Sequence, residues 1–146
     1  MAFYGGRPRI GKSTVVANLA ALFAASGVST GVVHVDEGWP MRAVFDCVGP
    51  VGVSQEVRPG LTLVCCEITD VAEQCSQLSS SVVLMDIPSG EGPAAELLPH
   101  ATDVYLVARE SKGALTGLAS DLHVITGAMS SGAGDLVVAG LLVTEA

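Results

Sequence analysis

Short apolar runs alternate with stretches of helical period along the whole chain. Residues 2–4 form a brief apolar run that ends at Gly5-Gly6. Residues 12–25 then set Val15, Val16, Leu19, Leu22 and Phe23 on one helical stripe, and Gly27 stands where a left-handed cap belongs. Residues 28–35 read as a buried strand closed by Asp36. Residues 40–48 suit a short helix, and residues 49–60, rich in glycine and proline, a loop. Residues 61–66 form a further strand, followed by a helix over 69–78 with Thr69 as its N-cap. Residues 81–85 make a continuous apolar strand ending in Asp86, and residues 104–108 repeat that design. Residues 115–129 read as a helix, and residues 136–143 as a last strand.

Strands alternating with helices predict an α/β fold in three layers, with a mainly parallel central sheet between helices. At 146 residues the length fits a single domain over 1–146. Apolar residues make up 49% and charged residues 15%, so a packed core is available. The most apolar stretch, residues 15–25, is interrupted by Asn18 and is about half the ~20 residues of a membrane span. Neither membrane insertion nor a secretory leader is expected, and the expected location is the cytoplasm.

The charge of −8 changes the list of partners. Three of the seven bases, Arg7, Arg9 and Lys12, lie in one short segment, which leaves Arg42, Arg58, Arg109 and Lys112 dispersed. Binding to a phosphate backbone requires several clustered cations, so no direct nucleic-acid partner is expected. Cys47, Cys65, Cys66 and Cys75 form no C-x-x-C pair and read as buried thiols.

The candidate chemistry lies where the first run meets the first helix. Gly6-Arg7-Pro8-Arg9-Ile10-Gly11-Lys12-Ser13 fits G-x-x-x-x-G-K-[ST] without a mismatch. Glycines let backbone N–H groups converge on phosphate oxygens, and the following helix N-terminus adds free donors and partial positive charge. Lys12 is expected on the β- and γ-phosphates, the Ser13 hydroxyl on magnesium, and Thr14 on the α-phosphate. In such a fold ligands collect at the carboxyl ends of parallel strands. Asp36 and Asp86 both stand there, as candidate metal-site acids with Ser13. His34 reads as a core histidine, and Arg109-Glu110 as a surface ion pair.

These motifs resemble the ParA/MinD family of dimerising P-loop ATPases. Lys12-Ser13-Thr14 is followed by Asn18-Leu19-Ala20 at the family's spacing, and Asp86-Ile87-Pro88-Ser89-Gly90 matches its D-x-P-x-G. Residues 101–107, Ala-Thr-Asp-Val-Tyr-Leu-Val, are similar to a further family strand. The resemblance implies a shortened P-loop NTPase that binds ATP and Mg2+. It also implies a homodimer, assembled on ATP, that positions or partitions cargo through a protein partner or adaptor. On that resemblance Lys12, Asp36 and Asp86 take the catalytic roles. Gly6, Arg7, Arg9, Gly11, Lys12, Ser13, Thr14 and Gly90 hold the nucleotide, Gly90 sensing the γ-phosphate through its N–H. The family's signature lysine falls on Arg7, the second acid of its D-x-D on Gly38, and an asparagine often found in it on Thr144. These departures imply weak or absent hydrolysis. A degenerate scaffold acting by protein interaction, and a metabolic ligase of the dethiobiotin-synthetase type, are the alternatives.

Overall fold

The computed structural model describes residues 1–35, 40–132 and 135–145. The fold is α/β, with a mainly parallel sheet of seven strands among the described residues. The chain divides into two compact units: Met1–Lys12 with Ile87–Ala146, and Ser13–Asp86.

In the Ser13–Asp86 unit, β2 (Thr30–Val35) runs parallel to both β4 (Leu61–Cys66) and β5 (Val82–Asp86). With a strand on each side and its residues buried throughout, β2 needs apolar side chains on both faces, and its Val-Val pair supplies them. Val32 stands in register with Leu63 and with Leu84, three side chains of the core. The first helix, α1 (Lys12–Ala25), has the bounds that its period predicts. It ends as expected: Gly27 takes φ 84°, its N–H reaches the Ala24 carbonyl at 3.0 Å, and the Val28 N–H reaches Phe23 at 2.9 Å. This paired closure is the left-handed cap that glycine permits.

Three elements in this unit differ most from expectation. Helix α2 (Pro40–Val44) is shorter than residues 40–48, and Asp46 turns left-handed just past it at φ 50°. The predicted loop over 49–60 contains β3 (Gln55–Arg58), antiparallel to β4. Its short Gln-Glu-Val-Arg sequence carries little apolar signal, so pairing with β4 decides it. Helix α3 (Val71–Gln77) follows a 3-10 turn, Ile68–Asp70. Thr69 does not cap it; the Thr69 hydroxyl donates to Asp70 Oδ1 at 3.1 Å.

In the other unit β1 (Ala2–Tyr4) is parallel to β6 (Asp103–Arg109), which is parallel in turn to β7 (Val137–Thr144). Phe3 and Tyr105, opposite each other in register, stack with ring centroids 5.4 Å apart. Helix α4 (Glu91–Leu97) was hidden by its Gly92 and Pro93, yet proline in a first turn is compatible with a helix start. Helix α5 (Ala114–Ser130) turns Asp121, Ile125 and Ala128 inward on one stripe.

Candidate nucleotide site

The glycine-rich segment is a loop between β1 and α1, held by three neighbours within its own unit. Gly5 is the tightest point: a Cβ there would collide with the Ile10 side chain and the Val107 carbonyl. At the next residue the Gly6 N–H donates to Asp121 Oδ1 of α5 at 3.1 Å. The far corner requires left-handed backbone, with Arg9 at φ 59° and Gly11 at φ 83°. Gly11 adopts this freely, whereas a side-chain-bearing residue in that region costs about 1–2 kcal/mol. Thr144 braces this corner. Its hydroxyl lies 2.6 Å from the Ile10 carbonyl, to which it donates, and 3.3 Å from that of Ala108.

Arg7 folds back along α5. A Cβ on Gly113 would lie 3.3 Å from Arg7 Nη1, and one on Gly117 would lie 3.4 Å from its Nε. Two residues without side chains thus leave the berth for the guanidinium. Burial raises the Asp121 carboxyl above the usual range, while the Gly6 N–H and the Arg7 charge pull it back down. Tyr4 is pushed up to about 12 by burial and by the negative charges of Asp121 and Glu91. Its hydroxyl donates to the Gly90 carbonyl at 3.4 Å. Gly90 has φ 118° at the N-cap of α4, a conformation that L side chains rarely adopt.

Beside the loop a cavity of about 210 Å³ is lined by Arg7, Arg9, Ile10, Arg109, Leu118 and Asp121, among others. Three of the chain's seven basic residues therefore line this cavity. Arg109, read from the sequence as half of a surface ion pair, joins the loop's arginines here.

At the end of the loop Lys12 is the first residue of α1 and is only 9% exposed, followed by half-buried Ser13 and exposed Thr14. The first turn of α1 carries no acid to compete for its positive end. A loop with left-handed backbone at Arg9 and Gly11 that runs into a buried lysine fits a phosphate chain in donor chemistry and in charge.

In the Ser13–Asp86 unit, Asp86 closes β5 at 1% exposure. His34 Nδ1 lies 3.0 Å from Asp86 Oδ2, both side chains buried. His34 is indeed a core residue, but one bonded to a candidate metal acid. Its Nε2 has no partner among the described residues, a state that costs about 1–3 kcal/mol when buried. A buried carboxylate with a hydroxyl such as Ser13 supplies the oxygen ligands that Mg2+ prefers. Asp36 lies outside the described residues.

Sequence reasoning passed over Asp121, and read Thr144 only as standing where an asparagine is often found in the family it resembles. Asp121 had a signal: it stands four residues before Ile125 on the apolar stripe of α5, where a charge is unexpected. No local pattern pairs Thr144 with Ile10, 134 residues away.

A loop of this sequence between a parallel strand and a helix defines a P-loop NTPase fold. No family model matches the chain, and no curated protein matches it. Solved structures do. The chain is similar to cobyrinic acid a,c-diamide synthase from Mycobacterium smegmatis with bound ADP and magnesium: TM-score 0.81, 17% identity, over 99% of this chain and 72% of that one. It is similar to the kinase domain of the Escherichia coli tyrosine kinase ETK, with TM-score 0.79 and 18% identity over 99% and 67%. The septum site-determining protein MinD from Pyrococcus horikoshii, complexed with Mg-ADP, gives 0.74 and 15% over 96% and 67%. The fold is that of the ParA/MinD-type P-loop ATPases, three-layered with a mainly parallel sheet, and the chain spans about two thirds to three quarters of its neighbours' length.

Proposed function

We propose that residues 1–146 act as one nucleotide-binding domain, a ParA/MinD-like switch that takes up ATP with Mg2+ through residues 6–14. The observation that carries this reading is the loop itself, anchored at Gly6 by Asp121 and at Ile10 by Thr144 and running into buried Lys12. The N–H groups of the loop and Lys12 would hold the phosphates. Ser13, Asp86 and Asp36 would hold the metal, whose role when bound is to neutralise phosphate charge. Thr14 and Gly90 would add contacts to the phosphates, and Arg7 and Arg9 charge beside them.

In this reading the ATP-bound form dimerises and positions a cargo through a protein partner in the cytoplasm, without binding nucleic acid directly. Hydrolysis also requires a positioned water and stabilisation of charge in the transition state. With Gly38 where the family carries an acid, turnover is weak. None of the described helices is long and apolar enough to cross a membrane.

The test is thermal unfolding with and without Mg·ATP. A ligand at a hundredfold its dissociation constant adds about 2.7 kcal/mol, which in this chain is a rise of several degrees. The rise should vanish in Lys12→Ala. No rise in the wild type would refute the reading. The cavity walled by Arg7, Arg9 and Arg109 favours a second reading, a P-loop ligase with an acidic small-molecule substrate. Light scattering separates the two, since only the switch should double its mass on ATP.

A further inference from the structure

Asp86 is the best-buried acid among the described residues, and one of its oxygens is already taken by an imidazole. In the parallel pairing of β2 with β5, His34 stands directly opposite Asp86, so both side chains leave the sheet on the same face. The contact is therefore built into the strand register. An ionised carboxylate only accepts hydrogen bonds, so the 3.0 Å contact calls for a proton on Nδ1. The other ring nitrogen, Nε2, is buried without a partner among the described residues. A side chain serving the core alone would be expected to satisfy both nitrogens or to be apolar.

We propose that His34 is a positioning residue for Asp86: its Nδ1–H fixes one oxygen of the carboxylate, and so the orientation in which that acid serves a magnesium shell. The inference rests on the nucleotide reading above. It adds an outer partner to the acid that the loop motif requires. Partners of this kind set how well a ligating carboxylate holds its metal, and removing one typically weakens affinity 10- to 100-fold.

The experiment titrates Mg2+ at fixed ATP and reads thermal unfolding in the wild type, His34→Asn, His34→Gln and His34→Leu. The amide nitrogen of asparagine overlays Nδ1, whereas that of glutamine overlays Nε2. Half-saturating Mg2+ should rise at least about tenfold in His34→Leu and in His34→Gln, and stay within about threefold in His34→Asn. Wild-type half-saturation in His34→Leu overturns the proposal. If His34→Leu fails to fold, equal behaviour of the Asn and Gln variants overturns it. The ligand-free wild type provides an independent reading, because long-range 1H–15N NMR of the imidazole should show the Nδ1–H tautomer. An Nε2–H tautomer overturns the proposal on its own. A wild type that ignores Mg·ATP removes the nucleotide reading and this inference together, whereas a normal wild-type response with an unchanged Leu variant removes the inference alone.

Discussion

The Thr144 hydroxyl and the Ile10 carbonyl are 2.6 Å apart, although 134 residues separate them in the chain. This bond ties the last residue of β7 to the left-handed corner of the glycine-rich loop. Thr144→Val keeps the shape and removes the donor. A hydrogen bond of this kind contributes about 0.5–1.5 kcal/mol net, and about 1 kcal/mol lowers Tm by roughly 2–4 °C in a chain of this size. Urea unfolding of the two proteins measures the difference. A variant as stable as the wild type would show that the brace contributes nothing.

Gly11→Ala strains the same corner from the other side. The added Cβ would sit 3.3 Å from Thr144 Cγ2, on backbone at φ 83°. The expected loss is about 1–2 kcal/mol from the left-handed conformation alone, with a weaker response to Mg·ATP besides. Gly27→Ala at φ 84°, where no atom stands near the added Cβ, serves as the control. Its loss should be no greater, and a larger one would contradict the crowding at Gly11.

Asp121 gives the loop a pH dependence of known sign. Burial raises its carboxyl above the unfolded value, so between the two the folded state binds more protons than the unfolded one. Stability from this group is complete below the unfolded value near 3.8 and is lost as pH rises through the folded one. Asp121→Asn keeps an oxygen for the Gly6 N–H and has no proton to lose. The difference in Tm, variant minus wild type, should therefore grow as pH rises from about 4. A flat difference would mean that the carboxyl is not raised.

Thiol reactivity tests the packing of the Ser13–Asp86 unit. Burial, with nearby Asp70 and neighbouring thiols, pushes Cys66 up to about 12, and burial raises Cys75 as well. Alkylation at pH 8 acts on thiolates, so Cys66 should remain unmodified in the folded protein and react after urea is added. Mass spectrometry of the peptides reads this directly, and rapid labelling of folded Cys66 would contradict its burial.

What the sequence conveyed and what it concealed divide along a physical line. The bounds of α1, the Gly27 cap and the apolar strand ending in Asp86 depend on neighbours in the chain, and periodicity reads those. β3 and α4 have weak local patterns, and their pairing or packing settles them. The loop motif was legible residue by residue. Its supports were not, because Asp121 and Thr144 reach Gly6 and Ile10 through the tertiary fold. His34 was read as a core residue, but its register opposite Asp86, 52 positions on, could not be counted from spacing.

Arg7, Arg9 and Arg109 line a cavity beside the loop in a molecule whose total charge is −8. An approaching anion is thus repelled at long range and attracted at close range. Screening acts on the distant field first, since about 10 Å is the reach of a charge at 0.1 M salt. Moderate ionic strength should therefore lower the barrier to the approach of an anion while leaving these arginines effective at contact. The usual rule, that salt slows the arrival of a ligand at an oppositely charged site, is weakened or reversed for this one.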